Sequence, residues 1–324
     1  MKAFVTGGTG FIGSHIADRL ISDPAFDEVR CLVRSREKWL SGKPYTRVNG
    51  DLFNVSVLNE SMQNIDVLYH IAGLVMAPSM NEFERANVEA TENILRIAQK
   101  SGVRKVVVLS SLAAAGPSNG TPVKEQDAMK PVSMYGKSKM LMEERIHEIL
   151  TQDLSITIIR PPAVYGPRED QIYTYFKMMN NRICPIIGNG EKPRLSMIFV
   201  SDLIDGIMLA SNDLKPGVKT YFLSGPEIVN WKQIKTVTSK VLGKKAFTLY
   251  IRPNLVKRIA GIVESAGSLF GKYPVFNREK ANEMVLEWTC SNEKAIQELQ
   301  YNPDVTLEEG ISRTIHWYKK HHWL

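Results

Sequence analysis

The chain has 324 residues, 44% of them hydrophobic and 23% charged, with a formal net charge of +7 at pH 7. That is enough apolar side chain for a full core and about two domains, and the ordinary charge content argues against long disorder. No apolar run approaches the roughly eighteen residues of a membrane-spanning helix.

Other features narrow the class. Cys31, Cys184 and Cys290 are far apart and odd in number, so they form no disulfide framework or metal spacing and are expected as buried free thiols. No His/Cys/Asp cluster has metal-ligand spacing either. The lysines and arginines are scattered with no long basic run, which points to a phosphate-bearing small molecule and not to nucleic acid. The start, MKAFVTGG, runs into glycines where a secretory signal would continue apolar, so a cytoplasmic protein is expected.

Taken along the chain, short β-branched runs alternate with amphipathic stretches. Strands are predicted at Ala3–Thr6, Glu28–Arg34, Tyr45–Val48 (weakly), Asp66–Ile71, Lys105–Ser110 and Ser155–Arg160. Helices are predicted at Phe11–Ser22, Asn81–Ser101 and Val132–Thr151. Strands that read as continuous Val/Ile/Leu, separated by helices, imply parallel strands buried on both faces. After Gly166 the rhythm changes. A helical stretch from about Arg168 to Pro193, turn-rich at Ile187–Gly190, precedes a βα unit at Met197–Val200 and Asp202–Ala210. Helices then follow at Val229–Leu242, Asn254–Phe270, Arg278–Met284 and Leu307–Lys320. The fold class is therefore α/β, a doubly wound parallel sheet of the Rossmann type with a smaller, mostly helical C-terminal substrate domain. Residues 1–167 with about 195–225 form the dinucleotide-binding domain, and about 168–194 with 226–324 the substrate-binding domain.

The first strand leads directly into Gly7-Gly8-Thr9-Gly10-Phe11-Ile12-Gly13, which opens a helix. Such a loop presents backbone N–H groups and the positive end of the helix dipole to a pyrophosphate. Gly7 permits the tight turn, Gly10 lets phosphates approach the backbone, and Gly13 seats the helix close on the strand. The second strand ends in Arg34-Ser35-Arg36, where a carboxylate would bind the ribose hydroxyls of NAD. Guanidinium groups instead favour the 2′-phosphate of NADP. NADP(H) is therefore favoured, with NAD(H) possible.

Tyr135 and Lys139 are four apart at the start of a helix and share one face. An ammonium beside a phenol favours the phenolate, and such a phenol can exchange a proton with a carbonyl oxygen. The strand Lys105–Ser110 ends in hydroxyls at Ser110 and Ser111, at the carboxyl edge where ligands of such sheets sit.

Glycine loop, strand-end serine and Tyr-x-x-x-Lys occur here in order. With GDL at 50–52, HIAG at 70–73, NVEATENIL at 87–95, LSSLAAAG at 109–116, RPPAVYGP at 160–167 and FVSDL at 199–203, they resemble the extended short-chain dehydrogenase/reductases, the NAD-dependent epimerase/dehydratase family. The resemblance spans nearly the whole chain. It implies that Tyr135 is the acid/base, that Ser111 shares the reacting oxygen with it, and that Lys139 binds the nicotinamide ribose and tunes the tyrosine. Position relative to Gly116 selects Ser111 over Ser110, which is left to the cofactor. Resemblance further assigns Asp51, with Leu52, to the adenine, Ala72 and Gly73 to the cofactor cleft, and Pro161 to the nicotinamide border. Asn87 is expected to brace the sheet. A homodimer through the helices carrying Asn87 and Tyr135 is also implied, with Met134, Met140 and Met142 near the contact.

Departures from the family pattern narrow the reaction. Where sugar-nucleotide dehydratases carry an Asp-Glu pair stand Leu112 and Ala113, and where many epimerases carry a tyrosine stands Ala115. The pattern looks more like the dihydroflavonol-reductase and 3β-hydroxysteroid-dehydrogenase-like branch. The expected function is an oxidoreductase moving a hydride between NADP(H) and a small carbonyl or alcohol substrate. A nucleotide-sugar epimerase holding NAD tightly and a non-catalytic nucleotide sensor or scaffold are the alternatives. His15 and His70 are expected to make local hydrogen bonds. Asp202 is expected to cap its helix, Arg168 to be a solvated loop charge, and Leu255–Phe270 to face the core.

Overall fold

The computed structural model describes residues 1–149, 154–269, 274 and 276–324. The last predicted helical residues Leu150, Thr151 and Phe270 lie outside the described residues. The strands are β1 (Lys2–Thr6), β2 (Glu28–Val33), β3 (Thr46–Asn49), β4 (Val67–His70), β5 (Lys105–Leu109), β6 (Ser155–Arg160), β7 (Ala163–Tyr165), β8 (Ile183–Ile187), β9 (Arg194–Phe199), β10 (Gly217–Phe222), β11 (Ile228–Asn230) and β12 (Phe247–Ile251). The helices are α1 (Phe11–Ser22), α2 (Val55–Ser61), α3 (Met80–Phe83), α4 (Ala90–Lys100), α5 (Leu112–Ala115), α6 (Met134–Ile149), α7 (Tyr173–Asn180), α8 (Val200–Ser211), α9 (Trp231–Leu242), α10 (Pro253–Leu269), α11 (Arg278–Met284), α12 (Glu293–Leu299) and α13 (Leu307–Lys320).

Seven strands form one sheet in the order β10-β6-β5-β4-β1-β2-β3, every pair parallel. Chain direction across the sheet reverses between β1 and β4, the crevice position where ligands of doubly wound sheets sit. Both faces are covered because successive strand side chains point to opposite sides. Val107 of β5 joins Ile16 and Leu20 of α1 and Leu203 and Ile207 of α8 in one core. Its neighbours Val106 and Val108 join Leu58, Ile94, Met142 and Ile146 in the other. Continuous apolar strands are the sequence signature of this double burial.

A third core lies beyond the sheet, built from Tyr165, Phe176, Cys184, Ile186, Ile234, Ile315 and Tyr318. It is not purely helical. A three-stranded sheet, β11-β9-β7, and a two-stranded sheet, β12-β8, stand among its helices.

Several expectations need correction. The predicted helix Asn81–Ser101 is interrupted by a π-helical turn at Glu84–Glu89. Ile187 ends a strand, and the turn begins only at Gly188, whose φ is +66°. The helix after Gly166 covers only Tyr173–Asn180. Asp202 does not cap α8: the N-cap is Phe199, and the buried Asp202 carboxylate instead accepts from the Val305 N–H at 3.1 Å. Met142 is core, 1% exposed, and is not available for a subunit contact. The apolar stripe of α10 is not core-facing as a whole, since Leu255, Ile259, Ile262 and Val263 are exposed. All three cysteines are buried and free, as expected. Among the described residues no helix is long and apolar enough to cross a membrane, and no group of His, Cys, Asp and Glu is placed to hold a metal ion.

Candidate active site

The glycine loop occupies the turn between β1 and α1. Gly7 has a φ of +73°, and a Cβ there would lie 2.7 Å from the Ala72 nitrogen, so β1 and the end of β4 approach this closely only with glycine. A Cβ on Gly13 would fall 2.2 Å from the Gly7 carbonyl oxygen. Gly10, exposed at the lip, is the N-cap of α1, and no side chain caps the helix. The first-turn N–H groups, on Phe11, Ile12 and Gly13, are therefore left without a backbone partner among the described residues, beside the glycine-rich turn. That geometry fits a dinucleotide pyrophosphate.

At the end of β2, Arg34 and Arg36 are exposed and neither forms an ion pair among the described residues. The carboxylate next to Arg36 in sequence, Glu37, is committed elsewhere: it accepts from Tyr45 Oη at 2.9 Å and from Arg47 at 3.0 Å. Those two bonds hold its carboxyl below the usual range. Asp51 is exposed, with one oxygen accepting from the Phe53 N–H at 2.8 Å, and Leu52 beside it is half-buried.

The catalytic candidates meet at the carboxyl ends of β4, β5 and β6. Ser111 follows β5 and caps α5, its Oγ accepting from Ala113 N at 3.1 Å. The buried Pro161, just after β6, fixes this turn by accepting from Leu112 N at 2.8 Å. From the first turn of α6, the Tyr135 phenol lies near the Ser111 hydroxyl. Burial pushes its phenol up to about 12, the Ser111 hydroxyl pulls the other way, and the Glu283 carboxylate adds an upward push. Lys139 is 3% exposed and donates to the Leu109 carbonyl at 2.9 Å. Its burial lowers the ammonium to about 8, and Glu143 opposes that. Gly73 completes the cleft: a Cβ there would stand 3.0 Å from Lys139 Nζ.

Asn87 braces this geometry. Its amide exchanges hydrogen bonds with Leu74 at 2.7 and 2.9 Å and donates to Ser138 Oγ at 2.9 Å, tying the β4 loop to α6. His70 bridges Thr6 and Thr91 at 2.8 and 2.9 Å, and His15 meets the Pro167 carbonyl at 3.0 Å, so both are local supports. Arg168 is not a free loop charge. It reaches Ser14 Oγ at 3.0 Å and Asp18 at 2.7 Å, fastening the loop after β7 to α1. Leu112 and Ala115 are buried against Val123 and Phe222, so no acid or tyrosine enters from this loop.

Two features escaped the sequence reading. Glu143, four residues past Lys139, accepts from Arg160 Nε at 3.1 and 3.0 Å and from its Nη2 at 2.6 Å, and the Ser110 hydroxyl also donates to it. The spacing Tyr135, Lys139, Glu143 was a visible signal of a third residue on that helix face. The second is α11, whose Glu279 accepts from Met134 N at 3.0 Å and whose Glu283 faces Tyr135. Nothing in the local sequence marks a segment so distant as a neighbour of the tyrosine.

A parallel sheet with a glycine loop at its switch point, and Ser111 after β5 near Tyr135 and Lys139 of α6, has the architecture of a dinucleotide-dependent enzyme of the short-chain dehydrogenase/reductase class. The NAD dependent epimerase/dehydratase family matches residues 3–225, and the chain belongs to it. Among its relatives, ceramide reductase of Caulobacter vibrioides is 26% identical, covering 99% of this chain and 95% of that protein. The 4-hydroxy-2-methyl-3-oxo-4-farnesyl-3,4-dihydroquinoline-1-oxide ketoreductase of Stigmatella aurantiaca is 27% identical over 96% of this chain and 95% of its own. MoeE5, solved with UDP-glucuronic acid and NAD, shares the fold at a TM-score of 0.80 with 23% identity, covering 99% and 100% of the two chains.

Proposed function

We propose that this chain is an NADP(H)-dependent oxidoreductase acting on the carbonyl or alcohol carbon of an apolar small molecule, the bound cofactor supplying or taking the hydride. The observation that carries this reading is the grouping of Ser111, Tyr135 and Lys139 around the end of β5 while the adjoining loop offers only Leu112, Ala113 and Ala115. The two reductase relatives act on a ceramide and on a farnesyl-bearing ketone, which supports carbonyl chemistry on apolar molecules.

In this scheme Tyr135 Oη holds the proton exchanged with the substrate oxygen, and Ser111 Oγ orients that oxygen from the β5 side. Lys139, one helical turn from Tyr135 on α6, is assigned to offset charge on the phenolate, and burial brings its own ammonium down to about 8. The glycine cradle with Phe11 and Ile12 would hold the pyrophosphate, Asp51 and Leu52 the adenine, and Ala72, Gly73, Ser110 and Pro161 the nicotinamide side. Unpartnered Arg34 and Arg36 favour a 2′-phosphate. A cytoplasmic homodimer through the helices carrying Asn87 and Tyr135 belongs to the same reading.

Calorimetric titration with NADPH and NADH tests it. NADPH is expected to bind about tenfold tighter or more, roughly 1.4 kcal/mol. A preference for NADH, or NAD retained through purification, would move the assignment to a nucleotide-sugar epimerase. Tyr135→Phe should lower turnover by about a hundredfold or more while cofactor affinity barely changes; full activity in that variant would remove the tyrosine from its role.

A further inference from the structure

The least explained surface of the molecule is made by α10 and β12. The inner face of α10, Val256 and Ala260, packs on Ala281 of α11. Its outer face carries Leu255, Ile259, Ile262 and Val263, with Ile262 70% exposed. On β12, whose Ile251 packs with Val256 and Ala260, Phe247 and Leu249 share one strand face and are also exposed, Phe247 to 74%. β12 pairs only with β8, so its outer edge has no strand partner among the described residues. Single exposed apolar residues are ordinary, but four on one helix with two more on the adjoining strand mark a contact surface.

Charge identifies what the surface meets. From Leu242 to Val263 the chain has five cations and no Asp or Glu; Lys244 is committed to Asn180, Lys245, Arg252, Lys257 and Arg258 are exposed, and Glu264, next along α10, is paired with Arg278. This one stretch holds a large share of the excess behind the net charge of +7. Arg258 lies one helical turn from both Leu255 and Ile262, at the border of the apolar stripe. A twofold contact with a second copy would set this cationic patch against itself, which like-charge repulsion disfavours. An anionic lipid surface satisfies both features: the apolar side chains enter the headgroup–acyl boundary and the cations stay among the headgroups.

We propose that the α10–β12 face is a peripheral docking surface for an anionic lipid bilayer. The helix lies on the membrane and does not cross it. Its position matters for the site, because α11, directly beneath, holds the N-terminus of the Tyr135 helix through Glu279 and Met134. The docked face is one helix layer from the catalytic candidates. Docking stands independently of the apolar-carbonyl reading, although it would set such a substrate's reservoir beside the cleft.

The test is co-sedimentation of the full chain with vesicles of phosphatidylcholine, alone or mixed with phosphatidylglycerol. The wild type is expected to pellet with the mixed vesicles, less so as salt rises, and to stay soluble with phosphatidylcholine alone. The double variant Ile259→Glu with Ile262→Glu should lose about tenfold or more of that binding, with its melting temperature and NADPH titration unchanged as controls for folding. The proposal is overturned if the wild type ignores phosphatidylglycerol, if it binds neutral vesicles equally well, or if the double variant binds like wild type. It is equally overturned if the wild type is a dimer that the double variant splits, since a second copy would then cover the face.

Discussion

Glu143→Leu removes the carboxylate that, alone among the described residues, pairs with a guanidinium that has almost no access to water. Arg160 and Glu143 side chains are 5% and 2% exposed and share the three contacts given above. The pair is incompletely satisfied even so, because the remaining nitrogen, Arg160 Nη1, has no hydrogen-bond partner. Stranding one charge at such depth costs about 3–5 kcal/mol. Replacing both, as Glu143→Leu with Arg160→Met, removes both desolvation penalties together and leaves mainly the Ser110 hydroxyl without its acceptor, about 1 kcal/mol. The double variant should therefore be more stable than either single one. Urea unfolding of the four proteins at neutral pH gives the coupling directly, expected at roughly 2 kcal/mol or more. Single variants within about 1 kcal/mol of wild type, the behaviour of exposed pairs, or a double variant equal to the sum of the singles, would refute the reasoning.

Gly13→Ala puts a Cβ 2.2 Å from the Gly7 carbonyl oxygen, a backbone atom that cannot swing aside. It should cost about 1–3 kcal/mol in thermal unfolding, and dinucleotide affinity measured by titration should fall with it; unchanged values in both would mean the loop is slacker than described. For His70, burial lowers the folded value to about 3, against 6.5 when unfolded. The unfolded chain therefore takes up the proton first, so stability is flat above about pH 6.5 and falls below it, by about 2 kcal/mol at about pH 5. His15, lowered to about 4 by burial, adds loss in the same direction. Urea midpoints across that range should show the decline, and His70→Gln should flatten it; an identical slope would exonerate His70. Burial pushes the Cys31 and Cys290 thiols up to about 12, and Cys184 is raised as well. A thiol reagent should thus label the native protein slowly and the urea-unfolded chain at all three cysteines; rapid native labelling would contradict their burial.

The sequence was most legible where periodicity and punctuation agreed. Phe11–Ser22, Ser155–Arg160, Arg278–Met284 and Leu307–Lys320 match the observed elements residue for residue. Each is bounded by glycine, proline or a capping residue, such as Thr306, whose Oγ1 accepts from Glu309 N at 3.3 Å. Elements that depend on distant partners were hidden. β8 contains Pro185 and is a strand because β12, sixty-odd residues later, pairs with it. β10, GVKTYF, is polar on its exposed side because it is an edge strand with one neighbour, β6. The short α2 and α5 are too brief for a helical period to register. Within the site, the glycines, Ser111, Tyr135 and Lys139 are sequence-visible because their spacing is local. Glu283 reaches the tyrosine only through tertiary packing.

The layering of the first core also sets an order on the ribosome. Ile16 and Leu20 of α1 are buried against Leu203 and Ile207 of α8, so the helix behind the glycine loop has no complete cover until the chain has been made past Ser211. About 190 residues, from Ser22 to Ser211, are added with that apolar stripe lacking its partner helix, a window in which a nascent-chain chaperone would find its target. The opposite face closes sooner, because α2, α4 and α6 all precede β6.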